Sequence, residues 1–392
     1  MDPFEKCYQW EDAKIARAEG YYPYFTPIQE TSGNEVVIDG KKMVMCGSNN
    51  YLGLTFHPKV MESSLAATRK YGTSCSGSRF LNGTLDLHVE LESKLAEFVG
   101  KESAIVFSTG FQSNLGAIPP LVGRDEVIVI DQYNHASIID GARLSFGKMV
   151  KFLHNDAEDL ERVLAKVGDK GKLIIVDGVF SMEGNTCNLP GVVEAAEKYS
   201  ARVMVDDAHA LGVLGPKGDG TAASFGLTDK VDLIMGTFSK SLASLGGFIA
   251  GELDVLDYIK HNSRALIFSA AMPPGSIAAV SAALDVIVEE PERRERLWEI
   301  TGRMQTELRG LGFDLGNSDT PIIPVIIGDD LKTFAVWRAL FDAGVFVNPV
   351  RTPAVPPGRA LLRTSYMSTH TDEQIDFVLS NFAKVGKQFG II

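Results

Sequence analysis

Basic charge is scarce in this chain: 38 Lys and Arg stand against 50 Asp and Glu, a formal net charge of -12 at pH 7. Nucleic-acid binders gather Lys and Arg to neutralise phosphates, so the balance argues against that class, and any anionic substrate needs a local basic pocket. Cysteine is scarce as well. Cys7, Cys46, Cys75 and Cys187 lie far apart without a Cys-x-x-Cys pair, which suggests neither a metal site nor a disulfide framework and leaves free thiols in a reducing cytoplasm as the expectation. Long apolar runs are missing too. The most membrane-like stretch, Ile277 to Val288, is too short to span a bilayer, carries Asp285 and has no Lys or Arg along a polar face, so it reads as a buried helix. Met1 to Lys14 mixes acids, bases and aromatics and lacks the basic start and apolar run of an export signal. There is no internal repeat, low-complexity tract or long linker.

What is present is enough apolar material, 45% of 392 residues, for one large core and a smaller satellite. From about Leu87 the chain alternates helical and strand patterns, the signature of a mostly parallel sheet covered by helices on both faces. Leu87, Leu91, Leu95 and Phe98 have one-face helical spacing, and Leu160, Val163, Leu164 and Val167 repeat it after a cap at Asp156. Short apolar runs between the helices read as buried strands: Ala104 to Phe107, Val127 to Ile130, Leu173 to Val176, Val203 to Val205 and Leu233 to Met235. After Glu290 the pattern predicts a charged helix over Arg293 to Leu311, a strand over Ile322 to Ile327, a helix over Leu331 to Ala343 and strands near Val345 to Val350 and Leu361 to Tyr366. A last helix opens on the capping box Thr371-x-x-Gln374. The expected division is an N-terminal segment (1–55), a large cofactor-binding domain (56–290) and a small α+β domain (291–392).

Each strand of the large domain is followed at once by small, polar or charged residues, and in open α/β sheets ligands gather outside the carboxyl ends of the strands. In Gly236-Thr-Phe-Ser-Lys240 a lysine follows hydroxyl residues just beyond a strand, where a lowered pKa would let it form a Schiff base with an aldehyde; a solvated lysine is the plainer alternative. In Asp206-Asp-Ala-His209 a carboxylate can keep a pyridine nitrogen protonated, although an Asp–His pair is as often a structural hydrogen bond. Ser108-Thr-Gly-Phe-Gln-Ser-Asn114 runs from a strand through glycine into a helix, a ready phosphate site, with Gly110 permitting close approach. His135 in Asn134-His-Ala-Ser-Ile138 can stack on an aromatic ring or sit as a satisfied core histidine.

These four features, in one sheet and in one order, resemble fold-type I pyridoxal-phosphate enzymes. More narrowly, Ser48-Asn-Asn-Tyr-Leu-Gly-Leu54, Asn134-His-Ala-Ser-Ile138, Asp177-Gly-Val-Phe-Ser-Met182, Asp206-Asp-Ala-His209 and Gly236-Thr-Phe-Ser-Lys240 look like the α-oxoamine synthase family, over nearly the whole chain. The resemblance implies an α/β transferase fold, pyridoxal 5'-phosphate as cofactor, and condensation of an amino acid with an acyl-CoA with loss of carbon dioxide. It implies Lys240 as Schiff-base lysine, His135 on the ring, Asp206 at the pyridine nitrogen and His209 near the phenolic oxygen. Gly110, Phe111, Ser181 and Thr237 are implied around the cofactor, and Ser269 at the phosphate of a neighbouring subunit in a homodimer with shared active sites. Arg363 matches the arginine that grips the substrate carboxylate, and Asn49 a residue contacting the same substrate.

Within the family, Ser239 before the lysine and Arg351 in Asn348-Pro-Val-Arg351 look most like the bacterial serine palmitoyltransferase branch, which joins L-serine to palmitoyl-CoA, although the arginine also occurs in oxononanoate synthases. Asn49 and the C-terminal Val385-Gly-Lys-Gln-Phe-Gly390 lean toward the 2-amino-3-ketobutyrate ligase branch, and Asn49 is shared with 8-amino-7-oxononanoate synthases. Near Tyr21 to Tyr24 no arginine stands for an acidic acyl group, and Tyr21, Tyr22 and Phe25 suggest an apolar entrance. A catalytically silent partner subunit is disfavoured because Lys240, Asp206 and His135 are all present. The expectation is a cytoplasmic enzyme that meets its lipid-like substrate in solution or by loose contact with a membrane surface.

Overall fold

The computed structural model describes residues 2–392. Three short strands come first, β1 (Glu30–Thr31), β2 (Glu35–Ile38) and β3 (Lys41–Met45). The large sheet follows with β4 (Ser103–Phe107), β5 (Val127–Asp131), β6 (Lys148–Phe152), β7 (Lys172–Asp177), β8 (Arg202–Asp206), β9 (Leu233–Thr237) and β10 (Gly247–Gly251). The C-terminal part adds β11 (Ile322–Gly328), β12 (Val345–Phe346), β13 (Asn348–Val350) and β14 (Ala360–Ser365).

The seven strands lie in the order β4-β10-β9-β8-β7-β5-β6. All run parallel except β10, which is antiparallel to both neighbours. Strands β5, β7, β9 and β10 are buried along their whole length, as parallel-sheet strands covered on both faces must be. The register sets the site. Asp177 lies opposite Asp206, and Gly247 lies opposite both Thr237 and Phe107, so the carboxyl ends of β4, β7, β8 and β9 come together at one edge.

The expected covering helices form at Asp86–Val99 and Ala157–Val167. The second is capped as its sequence predicts, Asp156 accepting from the Asp159 amide. The apolar stretch near Ile277 is a helix, Pro274–Glu289, buried on most of its faces against the helix Pro58–Tyr71. Asp285 stays at the surface by pairing with Lys94 at 3.0 Å. Among the described residues no helix is long and apolar enough to cross a membrane.

The C-terminal elements follow the expected order, with one correction. The predicted strand Val345 to Val350 is two pieces in two sheets. Val345–Phe346 pairs in parallel with Val44 and Met45, whereas Asn348–Val350 pairs antiparallel with β14. Residues 30–45 therefore share a sheet with the C-terminal part, a pairing across about 300 residues of chain that no local pattern announces. A second apolar cluster joins Val44 and Cys46 to Trp337, Leu362 and Phe382, separate from the core around the large sheet.

Candidate active site

Helix Gly110–Leu121 begins directly after β4. The Thr109 side chain caps it by accepting from the Gln112 amide, so the first amides, those of Gly110 and Phe111, have no acceptor within the helix and carry its positive end. A Cβ on Gly110 would lie 2.5 Å from Thr237 Oγ1; only glycine lets the helix start pack this closely on the end of β9. Beside it opens a cavity of about 280 Å³ lined by Gly110, Phe111, His135, Ser181, Asp206, His209, Thr237 and Lys240, together with Asp177, Ser239 and Leu245.

Asp206, at the end of β8, is buried and fixed from two sides: the Ala208 amide donates to Oδ1 at 3.0 Å and Asn114 Nδ2 to Oδ2 at 2.8 Å. Its sequence neighbour Asp207 turns away. The Asp207 carboxylate accepts from the Thr221 amide at 3.0 Å, lies outside the cavity lining, and is pushed up to about 7 by burial. Asp177 is also buried and accepts from the His135 amide at 2.8 Å; burial and the nearby Asp206 charge push its carboxyl up.

Lys240 is half-buried at the cavity wall. Burial holds its amine down to about 8, against upward pulls from Asp206 and Asp177 and with a further downward push from Arg363. Such an amine is available in neutral form close to physiological pH, which an ordinary lysine is not. Burial also keeps both imidazoles, His135 and His209, neutral.

His209 leads to the substrate-side residues. Its Nδ1 lies 2.7 Å from the hydroxyl of Tyr51, a fully buried side chain whose phenol burial pushes up to about 12. The Tyr51 hydroxyl reaches Asn49 Oδ1 at 3.4 Å, and Arg363 Nη2 donates to the same oxygen at 3.0 Å. Arg363, on β14 and 5% exposed, also donates from Nε to the Ser181 carbonyl at 2.7 Å. Arg363 and Asn49 do not themselves line the cavity but join it through Ser181, which does.

Two predicted residues stand elsewhere. Ser269 lies outside the cavity lining, its hydroxyl accepting from Gln112 Nε2 at 3.0 Å. Arg351 is exposed beyond β13, its guanidinium 5.8 Å from the centre of the Phe334 ring. Tyr21, Tyr22 and Phe25 do not line the cavity either, and an arginine does reach them: Arg17, on the preceding helix Asp12–Ala18, lies 4.3 Å over the Tyr22 ring. Sequence reasoning assigned no role to Tyr51, Asn114 or Ser137. All three sit inside the motifs above, but their partners are 158, 92 and 2 residues away respectively, so only the last pairing was open to a local reading.

Residues 41–382 match the family described as aminotransferase class I and II. The chain belongs to the aminotransferase class I and II family. The serine palmitoyltransferase of Sphingobacterium spiritivorum is 56% identical over 95% of this chain and 94% of its own. The 8-amino-7-oxononanoate synthase of Thermoanaerobacter pseudethanolicus is 44% identical over 97% of both. A solved structure of serine palmitoyltransferase with pyridoxal phosphate superposes with a TM-score of 0.97 at 36% identity, covering 100% of each chain. Both the expected fold, a transferase of fold type I, and the α-oxoamine synthase resemblance are borne out.

Proposed function

We propose that this protein is a pyridoxal-phosphate-dependent acyltransferase that condenses L-serine with palmitoyl-CoA to give 3-ketodihydrosphingosine, CoA and carbon dioxide. The cavity suits that cofactor. The free amides of Gly110 and Phe111 at a helix start, with the Thr237 hydroxyl, form an anion cup. Asp206 is a carboxylate with acceptor capacity left after its two bonds, placed to keep a pyridine nitrogen protonated. When bound, the cofactor supplies an electron-withdrawing ring that makes the substrate Cα proton removable.

The protein's own groups do the rest. Lys240 would hold the cofactor between turnovers and would take the Cα proton on Nζ, a task suited to an amine near 8. His135 would cover the ring, and His209, held by Tyr51, would serve the phenolic oxygen. Arg363 is fixed by the Ser181 carbonyl and Asn49, with N–H groups left for a substrate carboxylate. Asn49 and Arg351 are the other substrate-binding residues, Arg351 acting after a move from its exposed position.

The observation that carries the substrate choice is the order of the relatives, with 56% identity to a serine palmitoyltransferase against 44% to an 8-amino-7-oxononanoate synthase. The working unit is a cytoplasmic homodimer in which Ser269 serves the neighbour's phosphate. The exposed Phe80, Leu81 and Phe268 support it, on two loops joined by the Ser78–Ala270 bridge. Its lipid-like substrate is taken from solution or from loose contact with a membrane surface. The test compares kcat/KM for palmitoyl-CoA and acetyl-CoA, each with L-serine and glycine. A clear preference for glycine with acetyl-CoA would establish the 2-amino-3-ketobutyrate ligase reading instead, and turnover of L-alanine with an acyl-CoA that ends in a carboxylate the oxononanoate one.

A further inference from the structure

Two polar side chains, Asn114 behind the cavity wall and Ser137 in it, join Asp206 to His135 in one continuous chain of hydrogen bonds. Asn114 is fully buried on the second turn of helix Gly110–Leu121, and its Nδ2 donates both to Asp206 Oδ2 at 2.8 Å and to Ser137 Oγ at 2.9 Å. Ser137, also buried, lies 2.7 Å through Oγ from His135 Nδ1, and its backbone amide approaches the same nitrogen at 3.3 Å.

The direction of each bond follows from counting donors. An amide nitrogen has two N–H groups, and both are used. The opposite orientation of the Asn114 amide would set its oxygen against the Asp206 carboxylate, two acceptors with no proton between them, so the carboxylate decides which way the amide faces. Ser137 Oγ therefore receives a proton from Asn114 and has only its own hydroxyl proton to give. The group in reach is His135 Nδ1. Two donors, the Ser137 hydroxyl and amide, then converge on that nitrogen, which leaves it no proton of its own.

We propose that Asn114 and Ser137 are positioning residues that lock His135 in the tautomer protonated at Nε2 and tie it to Asp206 through a single amide. The imidazole thereby presents an N–H donor rather than a lone pair to whatever occupies the cavity. The two groups that would flank a bound ring, the carboxylate at its edge and the imidazole on its face, are held in register by the helix that also forms the anion cup. Burial keeps His135 neutral, so the tautomer is a real choice and not bypassed by double protonation. Asn114 Oδ1 is left buried without a partner, which fits a side chain placed for its two donors rather than for its oxygen.

The proposal depends on the pyridoxal-phosphate reading only for its consequence in turnover, so its first test uses cofactor-free protein. In 15N-histidine-labelled wild type, His135 should show an unprotonated Nδ1 and a protonated Nε2. Ser137→Thr, which keeps the hydroxyl, should show the same, whereas Ser137→Ala should lower the tautomer preference by about tenfold, the effect of one lost hydrogen bond. With cofactor and substrates, Ser137→Ala should lower kcat by about tenfold with KM for the amino acid little changed, and Ser137→Thr should restore it. A protonated Nδ1 in the wild type, or an unchanged tautomer in Ser137→Ala, overturns the relay; the wild-type measurement alone decides if that variant does not fold. Failure to bind pyridoxal phosphate would refute the proposed function and leave the tautomer assignment intact.

Discussion

Replacing Lys240 by methionine should make the cofactor-free protein more stable at neutral pH, by an amount that disappears as the pH rises. Methionine is similar in length, unbranched and able to fill the same wall without a charge. The folded state holds the Lys240 proton only up to about 8, against 10.5 for an ordinary lysine, because burial disfavours the ammonium more than Asp206 favours it. Below about 8 the folded wild type therefore carries an ammonium in a poor environment, at a cost of about 3 kcal/mol by the usual 1.36 kcal/mol per pH unit. Between about 8 and 10.5 the unfolded chain binds more protons than the folded one, so wild-type stability rises with pH and the cost fades. Urea unfolding of wild type and Lys240→Met, at about pH 7 and again at about pH 10, isolates Lys240 and the few groups that feel its charge, because every other titration cancels in the difference. The variant should lead by about 3 kcal/mol at the lower pH and by about 1 or less at the higher. A gap independent of pH, or a variant less stable than wild type at neutral pH, would refute the account of how the protein lowers this amine.

Arg363→Ala should raise the Kd for the amino acid by at least about tenfold, the loss of one charge-assisted contact, and leave acyl-CoA binding nearly unchanged. An unaltered spectral titration with amino acid would place the carboxylate elsewhere. Gly110→Ala puts a methyl group 2.5 Å from Thr237 Oγ1 and should weaken pyridoxal-phosphate binding by more than about tenfold, read by fluorescence titration of the cofactor-free protein. Near-normal affinity would show that the helix start can retreat. Tyr51→Phe leaves His209 Nδ1 without its 2.7 Å partner and should cost about 1 kcal/mol in unfolding free energy while shifting the pH dependence of the bound-cofactor absorbance. A stability loss with no spectral change would make Tyr51 structural only. Lys240→Ala should still bind pyridoxal phosphate non-covalently and lose all turnover; a borohydride-trapped adduct at that position would be incompatible with the assignment.

The sequence by itself determined five strands of the large sheet and the C-terminal helices, two of the caps, and the edge of the sheet where chemistry collects, but not β1 to β3, β6 or β10. Period-two and period-3.6 apolar spacing are set by what a strand or helix must bury. Polar residues directly after β-branched runs can only lie at strand ends. Thr371 with Gln374, Asp156 with Asp159 and the Gly110 helix start needed nothing beyond three or four residues of context. Tertiary structure alone decided pairings over long separations. The division of 345–350 between two sheets depends on the return of residues 41–45, and β10 enters antiparallel between β4 and β9 through a register set by Gly247 facing both neighbours. Inside the site, where the family resemblance had already singled out Asp206 and Arg363, the fold supplies the physical reason. Asp206 and Asp207 are chemically identical in sequence, yet strand alternation sends one to the cavity and the other to Thr221. Arg351 and Arg363 both follow apolar residues. Register on β14 places Arg363 against Asn49 and Ser181, while Arg351 lies past the end of β13 and is left in solvent. Residue types are local properties, but a donor finds its acceptor only after the sheet has brought distant segments together, which is why the relay through Asn114 and the Tyr51–His209 contact became visible only in the folded chain.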